Sequence, residues 1–150
     1  MEWFGDVVDG SMVLNDCGGI VKQQLLWLPQ QYPYIQLDEW VVMPNHVHAI
    51  LMIKYPVIVG TGLDLSLHTD LSLHKTNVLS LSNIIGTLKT TSSKRIHLEK
   101  IDREFSWQRS YYDHIIRTPQ ALQNIRRYIL NNPKQWDHKK LVKREEGRTS

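Results

Sequence analysis

Apolar residues recur along the chain in rhythms that change from helical to extended and back. In residues 19–28, Val21, Leu25 and Leu28 fall at i, i+4 and i+7, the spacing of one helix face. Pro29 and Pro33 follow, and end that helix or bend its last turn. Residues 34–43 are rich in β-branched and aromatic side chains, and residues 46–53 alternate, so both predict strands. Pro44-Asn45 between them reads as a turn, giving a hairpin or two neighbouring strands. A second helix is predicted from a cap at Ser80 or Ser82 to about Glu99, with Leu81, Ile85 and Leu88 as its stripe. Residues 105–117 predict an aromatic strand with Trp107, Arg109, Tyr111 and Asp113 on one face. Thr118-Pro119 opens the last helix, which buries Leu122, Ile125 and Ile129; Pro133 is read as its stop. Residues 1–18 read as loops with a short strand at Ser11–Leu14.

Between residues 55 and 78 the periodicity collapses, and DLSLH occurs twice, at 64–68 and 70–74. A short tandem copy in a polar, glycine-containing stretch predicts an inserted surface loop, where His68 and His74 are poorly framed for ligation. The rest reads as one domain over residues 1–136. A basic tail over 137–150 (Lys139, Lys140, Lys143, Arg144) has three open roles: contacting a polyanion, covering the site, or staying disordered.

At 150 residues the chain can bury a real core. No apolar run approaches the roughly 20 residues needed to cross a bilayer, and no basic-then-apolar leader opens it, so the expected location is the cytoplasm with no membrane partner. The single cysteine, Cys17, excludes an internal disulfide. The net charge of +3 hides a division: residues 1–84 balance to −5 and residues 85–150 to +8. A basic half suits backbone phosphates, and equally suits a solvated surface.

The most chemically suggestive stretch is WVVMPNHVHAILMI, residues 40–53. His46 and His48 are two apart on a predicted strand and therefore share a face, where two imidazoles can bind one metal ion. Taken alone, the pair is more readily two polar residues at a sheet surface. On the last helix Tyr128 and Asn132 lie one turn apart at the border of the buried face. Taken alone, each is an ordinary packing or helix-end residue.

In combination, MPNHVH, then WQRSYYDHIIR, then RRYILNNP resemble the single-tyrosine HUH transposases, and most closely the REP-associated tyrosine transposases. The resemblance covers about residues 10–136. It implies an α+β, ferredoxin-like sandwich: an antiparallel sheet carrying the histidines, with helices packed on it. Members of that family usually carry an extended segment before the region matched by residues 4–14, so the expected sheet allows for a missing first strand and an exposed edge.

The resemblance further implies that His46, His48 and Asn132 hold a divalent cation, Mg²⁺ or Mn²⁺, and that Tyr128 is the nucleophile. The implied activity is cleavage and rejoining of single-stranded DNA beside hairpins through a 5′-phosphotyrosine, by a monomer or a homodimer. A phosphodiester repels nucleophiles, so a polarising cation is useful. A phenol with the reference pKa of about 10 needs that cation or a base to become reactive.

Lys89, Lys94, Arg95, Arg109, Arg126 and Arg127 are the cations expected on the DNA backbone. Trp107, Tyr111 and Tyr112 are candidates for stacking on unpaired bases, with core packing the stronger reading for at least one of them. His114 is a weaker candidate for an auxiliary base. Two other readings stay open: an inactive nucleic-acid-binding module with the same fold, and a plain metal-binding or regulatory domain.

Overall fold

A computed structural model describes residues 1–54 and 79–146. The chain opens with a tight hairpin, β1 (Gly5–Val8) against β2 (Ser11–Leu14), paired antiparallel from Gly5↔Leu14 to Val8↔Ser11. Its two-residue turn is Asp9-Gly10, both at positive φ (50° and 69°). That geometry matches the right-handed twist of the flanking strands, and Asp-Gly is a strong signal for it. The expectation of loops before Ser11 is thus corrected: the first strand escapes notice because it is short and carries little apolar alternation.

Helix α1 (Asp16–Gln31) begins where Asn15 accepts a hydrogen bond from the Gly18 N–H at 3.0 Å. It keeps Val21, Leu25 and Leu28 buried, as their spacing predicts, and carries Pro29 within its last turn. Strands β3 (Ile35–Val42) and β4 (Val47–Ile53) then form a second antiparallel hairpin. Its register runs Ile35↔Ile53 to Leu37↔Leu51, then resumes at Trp40↔Ala49, leaving Asp38 and Glu39 opposite Ile50. This extra residue is a β-bulge. It shifts the alternation by one, so that Ile35, Leu37, Trp40 and Val42 all join the core on the side of α1 and α2 (Leu81–Leu98).

Ser80 caps α2 by accepting from the Asn83 N–H at 3.3 Å. The buried stripe of that helix is Ile84, Leu88, Ser92 and Ile96, one step round from the predicted one; Leu81 and Ile85 are half-buried.

Residues 105–117 do not form the predicted strand. Phe105 and Trp107 pack instead into an aromatic cluster with Trp3 and Phe4, ring centroids 5.1 to 5.8 Å apart. A strand needs a ladder partner, and here carbonyls are met by a side chain: Lys89 Nζ donates to the oxygens of Gln108 (2.7 Å) and Ser110 (3.2 Å).

Helix α3 (Pro119–Glu146) runs straight past the predicted stop, with Pro133 inside it. The proline removes one backbone donor, a cost of about 3 kcal/mol in an isolated helix. Burial of Ile129, Asn132 and Pro133 against the rest of the fold offsets it. Residues 137–146 therefore extend α3 along the first hairpin instead of forming a separate tail. There, Gly10 N–H donates to Asp137 (3.1 Å), and Lys140 reaches Glu2 (3.3 Å) and Asp6 (3.4 Å).

The whole is an α+β arrangement of antiparallel hairpins with helices packed on them, consistent with a ferredoxin-like sandwich. Among the described residues no helix is long and apolar enough to cross a membrane.

Candidate functional site

The turn between β3 and β4 is held from three directions. Met43 N–H donates to His46 O at 2.8 Å, Phe4 N–H donates to Pro44 O at 3.0 Å, and Met43 and Pro44 are fully buried. His46 closes this turn and His48 follows on β4, so both imidazoles leave a backbone with little freedom. Because Val47, Leu51 and Ile53 face α1 and α2, strand alternation turns His48, Ile50 and Met52 to the opposite side, where α3 lies.

The two rings stand nearly perpendicular, at 84°, with His46 Nε2 and His48 Nε2 3.0 Å apart. His46 Nδ1 lies 2.6 Å from Asn45 Oδ1, so its Nδ1–H donates there and the Nε2 lone pair is left facing His48. Burial, and then the neighbouring His48, hold His46 down to about 4; burial lowers His48 as well. Both imidazoles are neutral at pH 7, the state in which they can donate to a cation.

Helix α3 crosses this pair with a stripe at i, i+4 and i+8. Tyr128 packs edge-on against His48, centroids 5.3 Å apart, and Trp136 lies against His46 at 5.9 Å. Asn132 falls between them on the same stripe and is buried, 7% exposed. Tyr128 itself is 49% exposed, so its ring touches the pair while solvent reaches the side chain.

This donor set fits a divalent cation. At 3.0 Å the two Nε2 atoms are within hydrogen-bond distance of each other, and they lie close enough together that one small divalent cation could take both as ligands. Among the described residues no group of three His, Cys, Asp or Glu is placed to hold a metal.

The expected DNA contacts divide. Arg126 is engaged with Asp38, through Nε to Oδ1 at 3.0 Å and the NH2 nitrogen to Oδ2 at 2.5 Å. Arg95 pairs with Glu99 and reaches Gln23, and Lys89 braces the segment after α2. Lys94 and Arg109 are exposed, and Arg127 lies exposed beside Tyr128, its guanidinium 3.2 Å from Asn124 Oδ1.

Trp107 is a packing residue whose indole N–H donates to Ser92 Oγ at 2.9 Å. Tyr111 bonds Ser82 through its hydroxyl at 2.8 Å, and Tyr112 is 94% exposed. His114 is exposed, and His68 and His74 lie outside the described residues.

Sequence reading missed three contributors: Asn45, Asp38 and Trp136. Only Trp136 carried a signal, as the next residue of the Tyr128–Asn132 stripe beyond a proline taken for a stop.

Residues 67–132 match the family described as "Transposase IS200 like". The matched segment contains Tyr128 and Asn132, while the histidine pair lies before it. The chain is also 36% identical, over 140 residues, to an uncharacterized protein of Haemophilus influenzae, spanning 92% of this chain and 76% of that protein. No solved structure matches the chain.

Proposed function

We propose that the chain is a transposase of the IS200-like kind, a metal-dependent endonuclease and strand transferase for single-stranded DNA with Tyr128 as nucleophile; the match of residues 67–132 to that family supports this reading. The observation that carries the proposal is the contact of the Tyr128 ring with His48, 5.3 Å between centroids, on the side where the histidines oppose their nitrogens. That meeting occurs within one chain, which favours the REP-associated branch and a monomer completing its own site.

His46, His48 and Asn132 would hold Mg²⁺ or Mn²⁺. When bound, the ion withdraws charge from a scissile phosphate and favours the phenolate form of a nearby tyrosine. The chain's own residues do the rest. The Tyr128 oxygen attacks phosphorus, the bond from phosphorus to the 3′ oxygen breaks, and that oxygen leaves as a 3′-hydroxyl after taking up a proton. The phenol proton passes to solvent, which reaches the half-exposed side chain. The 5′-phosphotyrosine keeps the bond energy, so another 3′-hydroxyl can reverse the step and join a new strand. Arg127, Lys94 and Arg109, all exposed, would neutralise backbone phosphates.

The test is incubation with hairpin-bearing single-stranded DNA and Mn²⁺, followed by denaturing electrophoresis. Wild type is expected to give a covalent adduct, lost in Tyr128→Phe and in the His46→Ala/His48→Ala double variant. An adduct indifferent to Tyr128, or none from wild type across a varied set of hairpins, would overturn the proposal. Salt-sensitive binding indifferent to all three residues would then point to a binding module.

A further inference from the structure

Beside Tyr128, on the exposed side of α3, lies a shallow cleft of about 290 Å³ lined by Asn124, Arg127, Tyr128, Asn131 and Gln135. Asn124, Arg127, Asn131 and Gln135 follow one another at steps of three or four, with Tyr128 beside Arg127, so they form a single stripe along the helix, roughly 16 Å long at 1.5 Å per residue. Asn124, Arg127, Asn131 and Gln135 are exposed, so none is spent on the core.

Their chemistry is selective. A surface that only follows a phosphate backbone gains most from cations, and this stripe has one cation among three primary amides, groups that can donate to phosphates and can also pair with base edges. An amide presents a donor and an acceptor side by side, the pattern that matches the edge of a base, adenine above all. Asparagine is also a poor helix former, up to about 0.7 kcal/mol behind alanine, so Asn131 is not explained by helix propensity. The array is already ordered at one end: Gln120 Nε2 donates to Asn124 Oδ1 at 3.1 Å, and the same oxygen accepts from Arg127 at 3.2 Å. Asn131 and Gln135, on the far side of Tyr128, line the rest of the cleft and are exposed.

We propose that Asn131 and Gln135, with Arg127 and Asn124, read the bases of the single-stranded DNA next to the phosphate presented to Tyr128. The inference rests on the strand-transfer reading for its ligand and extends it to the residues that choose the sequence. Arg127 holds the strand while the amides discriminate among base edges, so specificity resides in α3 and not in the loops.

The experiment is a binding selection from single-stranded oligonucleotides with a randomised stretch. Tyr128→Phe protein, which does not cleave, is compared with the same protein carrying Asn131→Ala and Gln135→Ala. Alanine favours the helix, so both should fold, and circular dichroism checks it. The stripe-intact protein is expected to enrich a preferred base at one or more positions, and the alanine variant to lose about tenfold of that preference, the weight of one bidentate base contact. The same motif from both proteins, or no motif from the stripe-intact one, overturns the inference. Because the selection needs no cleavage, it stands apart from the adduct assay: failure of wild type to form an adduct removes the strand-transfer reading and leaves base reading to be decided here.

Discussion

Asp38 and Arg126 join the bulge of β3 to the helix that carries Tyr128, through two nearly parallel bonds of 3.0 and 2.5 Å. The bulge lets Asp38 leave the apolar register, and its carboxylate also accepts from the Glu39 N–H at 2.7 Å. Hydrogen bonding to Arg126, the largest influence, holds the Asp38 carboxyl below the usual carboxylate range. Arg126 sits two residues before Tyr128, so this pair fixes where the phenol stands over the histidines. Asp38→Ala is expected to slow adduct formation on the order of tenfold to a hundredfold, the scale of a small misplacement of a reacting group. Arg126→Lys should recover only part, because an ammonium cannot make the two-point fork. Adduct rates measured beside Mn²⁺ affinity check this, the affinity changing little. The sign with pH follows from the lowered value: the stabilisation is complete above the unfolded carboxylate pKa of about 3.9 and is lost as pH falls through the folded one.

Ser92 is fully buried between α2 and the aromatic cluster. It donates to Leu88 O at 2.6 Å and accepts from the Trp107 indole at 2.9 Å. Ser92→Ala gains helix propensity yet strands the indole N–H without a partner, which costs about 1–3 kcal/mol. The second effect is the larger, so urea denaturation should show a net loss of stability. Unchanged stability would mean that the indole finds another acceptor.

His46 supplies a pH dependence of its own. With its pKa held to about 4 in the fold against 6.5 for the free side chain, the unfolded chain binds the extra proton first. Stability is therefore complete above pH 6.5 and declines as pH falls from 6.5 to 4, by up to about 3 kcal/mol before allowance for the solvent that reaches the ring. Thermal melts in EDTA across that range should show the decline, and His46→Phe should lessen it, the part owed to the buried His48 remaining.

Trp136 offers an optical report on the same site. Its ring lies 5.9 Å from that of His46, and its buried Nε1 makes no hydrogen bond among the described residues. Paramagnetic Mn²⁺ bound at the histidines should quench its fluorescence. The quenching should shrink in Trp136→Phe, Trp40 on the neighbouring strand keeping a remainder, and vanish in the double histidine variant, while Mg²⁺ should compete it away. Quenching that persists without the two histidines would place the ion elsewhere.

What the sequence disclosed followed from local rules, and what it hid followed from partners. The spacing of Val21, Leu25 and Leu28 and the cap at Ser80 depend on neighbours within a turn or two, and both reappear in the fold. So does the shared face of His46 and His48, which two-residue alternation imposes. Residues 105–117 had strand composition, but a strand also needs a bordering strand, and composition cannot supply one. Pro133 had the local properties of a stop, and burial on the sheet and first hairpin outweighed them. Arg126 looked like a cation for DNA because its acid lies 88 positions away in sequence, at a bulge that apolar patterning alone does not reveal.

An unbroken α3 has a mechanical consequence. At 1.5 Å per residue its 28 residues make a rod of roughly 42 Å, with the phenol towards one end and the grips of Asp137 and Lys140 on the opening hairpin towards the other. Pro133 notches that rod by deleting the rung from position 133 to the Ile129 carbonyl, and the notch falls between Tyr128 and Trp136. A rod loaded at its ends yields first at its notch, so a tug on the opening hairpin would be felt at the histidines before anywhere else along the helix.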